Sequence, residues 1–240
     1  MAFFAACTST PSSNSSVDLK RAAELNAEMG ARYLAQGDIE LAKKKLEKAL
    51  AQNSNLAAAH AGYALMWNAL GDSKQASKHF KRAIKLDRYD PATLNNYGTF
   101  LCSQGKPKEA EKHFLEALKD PLYKTPEYAY TNAGRCSLKD NDYDKAEAYF
   151  GKALTVNPRF PDALVQLSKV YAYRRNYKLA DAYLTRFEEH GVHTPESLWL
   201  GIRIAQKNND KNKVASYSLL LKNKFPKSNQ ASLLRQLDKQ

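Results

Sequence analysis

The 240-residue sequence predicts an all-α fold, a right-handed solenoid of six helix-turn-helix units closed by a C-terminal capping helix. Three observations predict it. Gly37, Gly71 and Gly105 follow one another at intervals of 34 residues. Ala42, Ala76 and Ala110 keep the same interval, as do Ala49, Ala83 and Ala117. Phe80 and Phe114 keep it as well. A fixed period with small residues at set places means stacked helix pairs, each burying its apolar face against its neighbours.

Extended along the chain, the frame gives units at 23–56, 57–90, 91–124, 127–160, 161–194 and 195–228, with two extra residues after the third. Place 8 is held by Gly30, Ala64, Gly98, Gly134, Ser168 and Ile202, and place 20 by Ala42, Ala76, Ala110, Ala146, Ala180 and Val214. Small residues there let the two helices of one unit approach closely. Alanine at place 27 lets the second helix touch the next unit. Proline at place 1 (Pro91, Pro161, Pro195) suits a first helical turn, where the missing N–H has no partner to lose. Glycine at place 15 suits a turn that needs positive φ. These features resemble the tetratricopeptide repeat over residues 23–228, the sixth unit matching least. The stretch 229–240, with apolar Leu233, Leu234 and Leu237, is expected to cap the sixth unit's core.

Residues 1–22 differ in character. Met1-Ala-Phe-Phe-Ala-Ala-Cys7 is apolar, and a Ser/Thr/Asn-rich tract follows that is expected to be a flexible tether. Small residues before Cys7 look like the end of a lipoprotein signal, with Cys7 as the lipidated residue. The run is short and lacks a basic segment, which implies a coding start further upstream. A plain N-terminal extension with an incidental cysteine is the other reading.

Apolar residues make up 43% and charged residues 26%, a composition that excludes both a disordered chain and a membrane-embedded one. The net charge is +12, with 17 basic against 13 acidic side chains in residues 1–120 and 20 against 12 in residues 121–240. Basic runs such as Lys43-Lys-Lys45 are interleaved with Glu40 and Glu47 and read as solvated helix faces, so no nucleic-acid partner is expected. Phosphate-loop, hydrolase and metal motifs are absent, and neither an enzymatic activity, a cofactor, a metal nor a small-molecule substrate is expected. His79 and His113 share place 23 and are expected on the solvated outer face. Cys102 and Cys136 stand at places 12 and 10; a disulfide is conceivable in an oxidising compartment, but the offset argues against it and for small semi-buried apolar residues.

In the tetratricopeptide fold the first helices line an inner groove. The resemblance puts Ala27, Ala31, Leu34, Ala58, Ala61, Leu65, Asn68 and Asn95 on it in the first three units. Tyr128, Arg135, Lys169, Tyr173, Trp199 and Arg203 follow in the last three. The groove thus turns from apolar to basic and aromatic, which suits an extended or helical protein segment. Ala27 and Ala31 stand where the chaperone-tail carboxylate clamp needs polar residues, which disfavours that ligand. The other reading of the apolar lining is packing between neighbouring first helices.

Asn95-Asn-Tyr-Gly-Thr-Phe-Leu101, Gln104-Gly, Ala110-Glu-Lys-His-Phe-Leu-Glu-Ala117, Asp120-Pro-Leu-Tyr123 and Asn132-Ala-Gly134 resemble the type IV pilus biogenesis lipoproteins, the secretin pilotins. Six repeats behind a lipobox-like Cys7 are similar too. The resemblance implies an outer-membrane lipoprotein facing the periplasm, which binds the pilus secretin and promotes its localisation and multimer assembly. A tetratricopeptide scaffold of another complex is the alternative.

Overall fold

The computed structural model describes residues 13–237, and these form thirteen helices with no strand among them. The helices are α1 (Ser13–Ala35), α2 (Ile39–Gln52), α3 (Ala57–Ala69), α4 (Ser73–Leu86), α5 (Pro91–Ser103), α6 (Pro107–Ala117) and α7 (Pro126–Lys139). They continue as α8 (Tyr143–Val156), α9 (Pro161–Tyr173), α10 (Tyr177–Glu188), α11 (Pro195–Lys207), α12 (Lys211–Lys224) and α13 (Asn229–Leu237). The expected all-helical class holds. Two compact units divide the chain, the first ending at Phe100 and the second beginning at Leu101.

Cys7 and the rest of residues 1–12 lie outside the described residues, as do 238–240. The expected tether over 1–22 needs correction from Ser13 on, where α1 already runs. Ala23 is fully buried, and a helix nucleated on that seated turn propagates outward at one hydrogen bond per residue. The serines therefore continue a helix they would not start.

In the first unit Leu46 of α2 fills the space between two glycines. A Cβ added at Gly30 of α1 would come 2.7 Å from Leu46 Cγ, and one at Gly62 of α3 would come 2.6 Å from Leu46 Cδ2. Leu46, Tyr63 and Met66 form one buried cluster, while Ala27, Ala49 and Ala59 form another. Phe80 of α4, fully buried, lies against the rings of Tyr97 and Phe100 at 5.3 and 5.4 Å.

The second unit repeats the device with larger side chains. A Cβ at Gly134 of α7 would stand 2.6 Å from the Phe150 ring of α8. Where place 8 carries Ser168, its hydroxyl donates to the Ala180 carbonyl at 2.8 Å, so the close approach survives a polar residue. In the sixth unit the partners slide by one residue: Gly201, not Ile202, faces the large side chain, here Tyr217 at 2.8 Å. Ala231 and Leu234 of α13 close this core over Leu198, Ile202 and Leu221.

The turn inside each helix pair follows one geometry. Gly37, Gly71 and Gly105 have φ of 80°, 80° and 73°. Asn141, Arg175 and Asn209 take the same place in the last three pairs, with φ of 57°, 60° and 57°. Next comes the residue that caps the second helix. Asp38, Asp72, Asp142, Asn176 and Asp210 each accept the backbone N–H of the third helical residue through a side-chain oxygen. Lys106 breaks this pattern, and Pro107 opens α6 without a side-chain cap.

The expectation for Cys102 and Cys136 is overturned: they form a disulfide between α5 and α7. A place number fixes position within a repeat, not height beside the next helix. The two residues added before α7 return Cys136 to a separation of 34 from Cys102, and their Cα atoms stand 5.8 Å apart, within the reach of a disulfide.

Two measurements check this packing. Gly134→Ala should lower unfolding free energy by about 1–3 kcal/mol, because the Phe150 ring has no free side to move to. Gly151→Ala, where a Cβ meets nothing within 4 Å, should raise it by about 1 kcal/mol. Urea midpoints that do not separate the two variants would contradict the account. Dithiothreitol should cost up to about 4 kcal/mol by loop-closure entropy. It should lower the melting temperature of the native chain and leave a Cys102→Ser, Cys136→Ser variant unmoved.

Candidate functional site

The first unit divides the expected apolar lining between surface and core. Ala31, Ala58 and Asn68 are exposed, and Ala61 and Leu65 half-buried. Leu34 is half-buried and packs against the Leu46–Tyr63–Met66 cluster. Ala27 and Asn95 correct the expectation outright, being only 3% and 8% exposed. Ala27 meets Ala49 and Ala59, so its small size serves the approach of α1 to α3 and offers nothing to a partner. Sequence reasoning missed large apolar residues that do face outward here: Val17, Leu19, Leu25 and Met29 along α1, Leu41 on α2, and Leu70 and Tyr89 further on. The four-residue spacing of Leu25 and Met29 was the signal that could have found those two.

The histidines of this unit also differ from expectation. His79 is not on a solvated face. Its ring stacks on Tyr63 at 5.0 Å, and its Nδ1 lies 3.1 Å from Nδ1 of His60. One nitrogen of that pair must donate and the other accept, so both rings cannot be charged at once. Burial first, then the His60 and Lys78 charges, push His79 down to about 4. Burial also lowers His60, with Arg82 adding to it against the hydrogen bond to the Ser54 carbonyl.

The second unit brings several predicted residues to one place. Lys169 and Tyr173 of α9 and Arg203 of α11 line a cavity of about 310 Å³, together with Ala172, Tyr177, Leu200, Ile204 and Lys207. Tyr173 is 65% exposed, its ring stacked on Tyr143 at 4.0 Å and nearly parallel. Arg203 and Lys207 are exposed and one helical turn apart. An adjoining hollow adds Arg175 to Tyr173, Tyr177, Arg203 and Lys207. Arg135, expected on the same groove, instead donates to Asp162 Oδ1 at 2.8 Å, which ties α7 to α9. Arg135 and Asp162 line a second cavity of about 470 Å³ that shares Lys169 and includes Glu196.

Lys169 has its pKa lowered, first by desolvation and then by the Arg135 charge, with Glu196 and Asp162 acting the other way. Tyr128, 48% exposed, meets Phe160 edge-on at 4.8 Å. Trp199, half-buried, packs on the core of the last helices. Neither lines the 310 Å³ cavity. Lys207, at the groove place that follows Gln206 on the same first helix, lines it as that pattern expects, whereas Tyr177 does not belong to the pattern: it opens a second helix, where the groove reading did not look.

Two stretches, residues 28–91 and 127–160, match the tetratricopeptide repeat family. The type IV pilus assembly protein PilF of Pseudomonas aeruginosa is 34% identical over 201 residues, which span 84% of this chain and 80% of that protein. The solved structure of Pseudomonas aeruginosa PilF superposes with a TM-score of 0.81 at 32% identity, covering 91% of this chain and 98% of that one. That of PilW, described as a widely conserved type IV pilus biogenesis factor, gives 0.80 at 28% identity over 88% and 97%. MamA, at 0.56 and 18% identity over 68% of this chain and 94% of that one, shares the fold alone.

The half-buried histidines set an acid limit. Burial holds His60, His79, His113 and His193 below their ordinary 6.5. As pH falls through 6.5 the unfolded chain takes up protons that the native chain refuses, so stability falls. The loss continues to about pH 4, where His79 itself titrates. Melting temperature should therefore decline steadily over that interval, and His79→Gln should flatten the slope. An unchanged slope in the variant would remove His79 from the account.

Proposed function

We infer the function from one premise: the chain belongs to the family of the Pseudomonas aeruginosa type IV pilus assembly protein PilF. Its role is that of a tetratricopeptide adaptor in type IV pilus assembly, working by binding rather than by catalysis. The finer reading is a pilotin. It binds the secretin subunit of the pilus machinery and promotes its delivery and multimer assembly, held at the periplasmic face of the outer membrane by a lipid on Cys7.

The observation that carries this reading is 34% identity sustained over 80% of PilF. Two further features support it. A disulfide that is part of a core persists in an oxidising compartment, which favours the periplasm. Cys7 stands behind two small residues and an apolar run, where a lipoprotein signal would end. Membrane affinity would then come from the acyl chains, each buried methylene contributing about 0.8 kcal/mol. The exposed apolar residues of the first unit, Ala31 and Ala58 with half-buried Ala61 and Leu65, are the surface offered to the secretin segment. Alanines leave room for a partner backbone to approach closely.

Deletion of the gene in its host should abolish detergent-resistant secretin multimers and surface pili, and the native gene should restore both. Cys7→Ser should move the protein from the membrane fraction to the soluble one. Normal multimers and normal pili in the deletion strain would overturn the reading. Normal multimers with pili lost would instead assign the chain to another step of the same assembly.

A further inference from the structure

We propose that the cavity between α9 and α11 is a binding site for an acidic peptide segment that carries an apolar anchor residue. The site lies in the second unit, apart from the surface assigned to the secretin segment, and does not depend on that assignment.

Two chemistries meet there. The apolar part is Leu200, Ile204 and Ala172, with the Tyr173 and Tyr177 rings beside them. The rim is cationic: Lys169, Arg203 and Lys207, with Arg175 in the adjoining hollow. No carboxylate lines either space. Among the described residues none of these four cations forms an ion pair, although cations elsewhere in the unit do. Arg174, next in the chain to Arg175, is held by Glu147 at 2.7 Å and by Asp144. Lys213 is held by both oxygens of Asp181 at 2.7 Å.

Arg203 and Lys207 face each other at the i, i+4 spacing, where like charges oppose helix formation. Arg175 occupies a left-handed turn position that glycine fills in three other pairs. The fold thus concentrates positive charge around an apolar hollow whose lining contains no carboxylate.

A carboxylate-rich segment supplies what is missing, and a leucine- or phenylalanine-sized side chain fits a space of about 310 Å³. Inorganic phosphate would meet the charge but leave the apolar floor bare. A flat lipid surface would meet the cationic rim but not Ile204, which is only 1% exposed. Charge should govern encounter and the apolar anchor should govern residence.

Fluorescence anisotropy on the full chain tests this with a fluorescein-labelled octapeptide alternating glutamate and leucine. It should bind with a Kd of order micromolar, weakening as salt rises. A lysine–leucine octapeptide should not bind, and a glutamate–serine octapeptide should bind at least about fivefold more weakly. Arg203→Ala with Lys207→Ala should weaken binding about tenfold or more, with circular dichroism and melting temperature unchanged because both side chains are exposed. Four outcomes would overturn the proposal. They are equal binding of the lysine–leucine peptide, undiminished binding by the double variant, displacement by submillimolar inorganic phosphate, and capture by phosphatidylglycerol vesicles without peptide binding.

Discussion

The close approach of the two helices in each pair is the constraint on which the rest depends. In the first pair Leu46 sits against Gly30, and in the fourth Phe150 sits against Gly134, each at a distance that excludes even a methyl group. Phe80, Phe114 and Leu184 occupy the equivalent place in three other pairs and are fully buried. A large side chain inserted where its neighbour has none sets the spacing between helices. Once that spacing is set, the turn has little choice. The chain must reverse within a few residues, which requires the positive φ shared by Gly37, Gly71, Gly105, Asn141, Arg175 and Asn209. The aspartate or asparagine that follows then caps the next helix.

The same packing decides which residues remain for a partner. Small residues are used twice in such an array, to let helices meet and to leave room for a ligand, and one alanine cannot do both. Ala27 serves the first purpose beside Ala59, while Ala31, one turn further along α1, stays exposed. In the second unit charge is sorted in a similar way. Arg135 and Arg174 bind neighbouring helices together through Asp162 and Glu147, whereas Arg203 and Lys207 form no ion pair among the described residues.

Much of the fold was legible because the repeat signal lies in residue size, and size at a fixed interval has one packing explanation. The helix class, the turn at Gly37, Gly71 and Gly105, and the helix-starting prolines all followed from it. What escaped was chemistry that the interval does not record. The positive-φ position in the fourth to sixth pairs holds Asn141, Arg175 and Asn209, which no glycine count would find. The Cys102–Cys136 pairing depends on how far one helix slides beside another, which place numbers do not fix. His79 shares place 23 with His113 and looked like an outer-face residue, yet its partner His60 stands on another helix. Of the candidate site, Lys169, Tyr173 and Arg203 were legible as a basic aromatic cluster. Tyr177, which completes the cavity from a second helix, was not.

The disulfide also has a mechanical meaning. Helix pairs that touch only their neighbours come apart one after another when an array is pulled from its ends. Cys102 and Cys136 sit on α5 and α7, so the whole of α6 and the loop with the added residues lie inside the covalent bridge. A stretch of 34 residues corresponds to about 115 Å of extended chain that tension cannot release while the bond is intact. Under load, the stretch from the end of α5 to Cys136 of α7 would therefore keep its length after the helices outside it had unravelled. Reduction, and not force, would set when that reserve of chain is let out.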